Sequence, residues 1–132
     1  MTRRLGIDTS VLVLLITEDP EAEFEDCVEK LRSLVEDSGD EIFVSNQVIG
    51  EAYVAVQLHY GVTKAEARSS LLNTLQSGLV SPLNGPTVIA ALEAKGGPGL
   101  FDRLIANDYA RTGLEVLTLD RKMASLPDVN RL

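Results

Sequence analysis

Hydrophobic and polar positions in this chain switch repeatedly between a short apolar run and a helical repeat, and the switches divide it into elements. Arg4 to Asp8 reads as a short buried strand, and Ser10 to Ile16 as a short helix after it. Asp19-Pro20 then predicts a helix start, with Asp as N-cap and Pro at the first helical position. From there Phe24, Cys27, Val28, Leu31, Leu34 and Val35 recur at helical spacing until Ser38-Gly39-Asp40. Glu41 to Ser45 reads as a second strand. Ser45 can cap a helix patterned by Val48, Ala52, Ala55 and Leu58 that stops near Tyr60-Gly61. Thr63 and Glu66 match a capping box, opening a helix that runs to Gly78. Leu79 to Leu83 is a third strand, and Gly85-Pro86 opens a helix to Lys95. After the Gly96-Gly97-Pro98-Gly99 loop, Leu100 to Thr112 is helical, Glu115 to Leu119 is a fourth strand, and Val129 to Leu132 a last short one.

Strands that alternate with helices predict an α/β fold whose sheet is mainly parallel and covered on both faces, a three-layer α/β/α sandwich. The 132 residues suit one domain, 1–132, with no repeat or linker. Apolar residues make up 45% and aromatics only 5%, so the expected core is aliphatic. The longest apolar stretch, Val11 to Ile16, falls far short of the roughly 20 residues of a membrane span. The opening Met-Thr-Arg-Arg resembles a leader, but Asp8 interrupts the apolar region and no small-residue cleavage site follows; the expected location is cytoplasmic. The single cysteine, Cys27, excludes an internal disulfide and falls on an apolar helix face.

The net charge of −8 speaks against a polyanionic partner only until its distribution is considered. Between Glu18 and Glu41 there are eleven acids and two bases, a net of −9, so the rest of the chain carries +1. Acidity is one local block, and nucleic acid can bind elsewhere.

Four acids outside that block change the picture further. Asp8 and Asp120 end the apolar runs LGID and EVLTLD, while Glu51 and Asp102 fall on the apolar faces of predicted helices. No Lys or Arg lies at helical spacing on those faces to neutralise them. Carboxylates taken out of water without partners are costly or take up a proton, and a cluster of them has raised pKa values. A hard divalent cation, Mg²⁺ or Mn²⁺, relieves that repulsion and can polarise a water for attack at phosphorus. Ordinary readings stand beside this one: Asp8 and Asp120 as N-caps, Asp102 as a first-turn acid complementing the helix dipole. In a parallel sheet Asp8 and Asp120 would both lie on the carboxyl edge, where ligands bind.

D-T-S near the start, the Glu of N-Q-V-I-G-E, the Asp of G-L-F-D-R-L-I-A and the Asp of L-T-L-D-R, in that order and spacing, resemble the PIN domain. The closest likeness is to the single-domain ribonuclease toxins of VapBC-type toxin–antitoxin pairs. The resemblance implies a largely parallel sheet of about five strands, Mg²⁺- or Mn²⁺-dependent hydrolysis of RNA phosphodiester bonds, an antitoxin partner and a homodimer. It assigns catalysis and metal binding to Asp8, Glu51, Asp102 and Asp120, with Ser10 and Thr118 in support. Ser10 stands where the family often has Asn, and Asp108 is a candidate further acid, about a third of a turn from Asp102 on a straight helix. Arg103, Arg121 and Lys122 adjoin the acids and are candidate phosphate contacts, with a solvated surface as the plainer reading. His59, at a helix end, receives no catalytic role. Two other readings stay open: a non-catalytic PIN-like module that binds RNA or protein, and a processing nuclease without an antitoxin.

Overall fold

The computed structural model describes residues 2–132. It is an α/β fold with six α-helices and strands that pair only in parallel, consistent with an α/β/α arrangement. Strand β1 (Arg4–Gly6) leads into helix α1 (Thr9–Thr17) and α2 (Glu21–Glu36). Strand β2 (Glu41–Val44) precedes α3 (Asn46–Tyr60) and α4 (Lys64–Leu75). Strand β3 (Ser81–Pro82) precedes α5 (Pro86–Glu93) and α6 (Leu100–Arg111). Strand β4 (Val116–Thr118), a 3-10 turn at Met123–Ser125 and β5 (Val129–Arg131) complete the order.

Side-chain caps account for three of the six helix starts among the described residues. The Asp8 carboxylate accepts the Val11 N–H at 3.2 Å and caps α1. The Ser45 hydroxyl accepts from Val48 at 3.2 Å and caps α3. Thr63 and Glu66 form the reciprocal box at α4, at 3.1 and 3.0 Å. α3 stops at Gly61, whose φ of 65° places it in the left-handed region that glycine enters without strain. At α2 the sequence reading is off by one. Pro20, extended at φ −71° and ψ 146°, occupies the N-cap position, so Asp19 caps nothing and the helix begins at Glu21. α4 likewise ends at Leu75, short of the expected Gly78.

The sheet differs in detail from the expectation. The strands form a three-stranded sheet in the order β1-β2-β3 and a separate pair, β4-β5, in place of one continuous five-stranded sheet. Each part has its own core. Leu12, Ile49, Leu71, Leu100 and Leu104 are among the side chains that pack with Ile42 and Val44 of β2. Val116, Met123 and Val129 form a small second core against Ala106 and Leu126. On β4 and beyond, the alternate positions Leu117 and Leu119 are 66% and 75% exposed. On β1, Arg4 and Gly6 are exposed, with the Arg4 guanidinium 4.8 Å from the Phe43 ring centroid. No helix among the described residues is long and apolar enough to cross a membrane.

Candidate active site

The turn after β1 is built from adjacent side chains. Asp8 follows the strand, and its Oδ1 accepts the Ser10 hydroxyl at 2.6 Å as well as the Val11 amide. Both bonds favour the ionised form, so the Asp8 carboxyl titrates below the usual carboxylate range, Ser10 contributing most. This is opposite to the raised value expected of a crowded acid cluster. Thr9, one residue on, donates its hydroxyl to Glu51 Oε1 at 2.6 Å. That bond ties the β1–α1 turn to the second candidate acid, on α3.

Glu51 and Asp102 flank the crossing of α3 and α6. Gly50, immediately before Glu51, faces the ring of Phe101, immediately before Asp102. A Cβ on Gly50 would lie only 2.7 Å from the tip of that ring, so the absence of a side chain permits the close approach. A cleft of about 320 Å³ beside the crossing is lined by Tyr53, Gln57, Lys64, Phe101 and Asp102, among others. The faces bearing the acids are apolar but do not point into the core. Glu51 is exposed and Asp102 half-buried, while Val54, Leu58, Ile105 and Tyr109 on the same faces are exposed. The buried face of α3 is instead Ile49, Ala52, Tyr53 and Val56. Sequence periodicity identifies an apolar stripe without saying which stripe is covered.

Asp120 belongs to the β4–β5 part of the fold. It follows β4, in the small second sheet, so it does not share a sheet edge with Asp8. Its Oδ1 accepts the backbone N–H groups of Lys122 at 2.7 Å and Met123 at 3.3 Å, and its own N–H donates to the Thr118 hydroxyl at 3.0 Å. Asp8 thus caps α1, while Asp120 closes a local turn ahead of the 3-10 turn, whose N-cap position is Lys122.

As donors, four carboxylates suit a hard divalent cation, and none is in an ion pair among the described residues. Without a cation, no three Asp, Glu, His or Cys groups among the described residues come together. The structure links Glu51 to the Asp8 turn and sets Asp102 across the helix crossing, but leaves Asp120 on another sheet.

Of the candidate phosphate contacts, Arg103 is engaged. Its Nε donates to the Pro98 carbonyl at 3.0 Å and its Nη2 to the Gly96 carbonyl at 3.1 Å, holding the loop before α6. Arg121 and Lys122 are exposed. Asp108 accepts the Asn84 amide at 2.8 Å. His59 is exposed in the last turn of α3. Sequence reading missed a polar network at the carboxyl ends of β2 and β3. Buried Asn46 donates to the Leu104 carbonyl at 3.0 Å and to Asn107 at 2.9 Å, and Asn84 donates to Asn107 at 2.7 Å. The only hint in the sequence is a run of asparagines directly after strands, and nothing in their spacing reveals the pairing.

No curated protein and no solved structure matches the chain. The PIN domain family model, by contrast, matches residues 6–129, nearly the whole sequence and all four motifs that carry the candidate acids, and the chain therefore belongs to the PIN domain family.

Proposed function

We infer that this chain is a nuclease, since PIN domains are generally hydrolases that act on nucleic acid. We propose that this chain is a metal-dependent endoribonuclease that hydrolyses RNA phosphodiester bonds, and that it is the toxin of a type II toxin–antitoxin pair. The observation that carries the reading is the Asp8 turn: a carboxylate at the carboxyl end of a parallel strand, kept ionised by Ser10 and linked through Thr9 to Glu51. Asp8, Glu51, Asp102 and Asp120 would hold Mg²⁺ or Mn²⁺, which when bound supplies a polarised water and neutralises charge on the phosphate. Ser10 and Thr118 orient Asp8 and the Asp120 backbone, and Arg121 and Lys122 offer positive charge beside the last acid. An antitoxin and a homodimer complete the proposal.

Because β4, which precedes Asp120, has no ladder to β1, one rival stays in view, a PIN-like module that binds RNA or protein without cutting it. A cleavage assay on RNA with Mg²⁺ or Mn²⁺, repeated with EDTA and with Asp8→Asn, decides between them. Asn is as good an N-cap as Asp, so the variant should fold with α1 intact. Cleavage is expected with metal, and none with EDTA or in the variant. Full cleavage by chelated protein would remove the metal from the proposal. Retained cleavage by folded Asp8→Asn would remove Asp8 from the site, and metal-replete protein that binds RNA without cutting it would establish the rival.

A further inference from the structure

The polar network at the carboxyl ends of β2 and β3 ends on a basic residue, Arg111, in the last turn of α6. Its Nη1 donates to the Leu83 carbonyl at 3.4 Å and to Asn84 Oδ1. Asn84 is itself fixed, its amide donating to Asn107 and Asp108 on α6. Asn107 in turn donates to the Thr87 hydroxyl at 2.7 Å and accepts from buried Asn46. The guanidinium is therefore held at one place on the sheet edge. Its Nε and Nη2 donors have no protein acceptor among the described residues, and it makes no ion pair with Asp108 there.

Strand register relates that place to Asp8. Gly6 pairs with Phe43, and Phe43 with Ser81. Continuing two residues along each strand aligns Asp8, Ser45 and Leu83 in one row across the carboxyl edge. The ladder bond from Leu83 N to the Val44 carbonyl, at 2.8 Å, keeps this register on the β2–β3 side. Asp8 and Leu83 are thus two strand spacings apart, about 10 Å. A planar guanidinium with free donors, bonded to the backbone two strands from an acid that would sit at the cleaved bond, has the geometry and charge to take a phosphate.

We propose that Arg111 forms a phosphate subsite that holds an RNA strand at a phosphate flanking the one at Asp8. The inference rests on the ribonuclease reading above. Because Asn84 and Leu83 fix the guanidinium beforehand, little side-chain freedom is lost on binding.

The test uses the full chain carrying Asp8→Asn, so that RNA stays intact, and measures binding of a single-stranded oligoribonucleotide against salt concentration. Each phosphate contact on a single strand contributes about 0.7 to the slope of log K against log salt. Arg111→Gln should weaken binding at low salt and reduce the slope by about 0.7. Arg32→Gln, which removes the same charge from acidic α2, should leave the slope unchanged. Asn84→Ala keeps the charge but removes its holder, and should weaken binding with the slope retained; it carries the test if Arg111→Gln does not fold. A parental slope in Arg111→Gln, an equal fall in Arg32→Gln, or unaltered affinity in Asn84→Ala would each overturn the subsite while leaving the ribonuclease reading intact. If the Asp8→Asn parent binds no RNA while the wild-type chain cleaves it, the subsite alone falls. If the wild-type chain neither binds nor cleaves RNA, both fall.

Discussion

Asp40 is 3% exposed, and its environment explains how an acid survives there. Arg3 donates both its backbone N–H, at 2.9 Å, and its guanidinium, at 2.8 Å, to the carboxylate. The guanidinium bond is the largest cause of a pKa held below the usual range, and burial opposes it. A lowered native pKa means that the unfolded chain binds more protons between that value and about 3.9, the usual Asp value. Stability from this pair is therefore complete above the unfolded value and is lost as pH falls through the native one. Urea midpoints measured from about pH 5 down to 2.5 should fall less steeply for Asp40→Asn than for the unaltered chain; identical slopes would show that the pair does not contribute. The same contrast marks what is legible at this scale. Ser10 lies two residues from Asp8, and the D-T-S motif exposes the pair to a reader of the sequence. Arg3 with Asp40, Asn46 with Asn107 and Asn84 with Arg111 are partners only through the fold, and no local pattern points to them.

Between elements, the contact that matters most for the candidate site is the α3–α6 crossing at Gly50 and Phe101. Ordinarily Gly→Ala within a helix gains roughly 0.5–1 kcal/mol. Here the new Cβ would meet three atoms of one ring at 2.7, 2.9 and 3.1 Å, and overpacking costs about 1–3 kcal/mol. Gly50→Ala should therefore lose stability, on the order of 1 kcal/mol by urea unfolding. The loss should shrink or reverse in a Phe101→Leu background, because the clashing ring is gone. Stabilisation by Gly50→Ala alone would mean that the helices are not in contact as described. Helices were the legible elements: their caps at Ser45 and Thr63 depend on residues within one turn, and the pattern located them. Strand partition was not, because a period of two gives a strand its faces but not its neighbours. Nothing in LGID or EVLTLD says whether β1 and β4 pair.

For the molecule as a whole, the structure narrows the acidic block of residues 18–41. Asp40 is spent inside, Lys30 pairs with Asp26 at 2.8 Å, and Arg32 lies 3.9 Å from Glu36. Eight of the eleven acids stay exposed and outside any ion pair among the described residues, and Glu21, Glu23, Glu25 and Glu29 of α2 are half of them. Under the proposed toxin function, an antitoxin with a basic segment is the partner such a surface would attract, and RNA the one it would repel. Charge attraction chiefly speeds encounter and is screened by salt. Replacing Glu21, Glu25 and Glu29 together with Gln should slow antitoxin association at low salt, with a smaller effect near about 0.5 M, and leave RNA cleavage unchanged or faster. Association rates indifferent to these changes at every ionic strength would reduce the surface to an aid to solubility.

The division into two sheets also bears on how the chain reaches its structure. Pairing Val116 with Val129 closes a short stretch of chain, whereas joining Arg4 to Glu41, or Phe43 to Ser81, must first gather far longer ones. Loop-closure entropy favours the short connection, and the three-residue core behind it binds it only weakly to the rest. That closure costs less chain entropy than the others, so the β4–β5 pair on either side of Asp120 can form before the strands of the larger sheet are brought together.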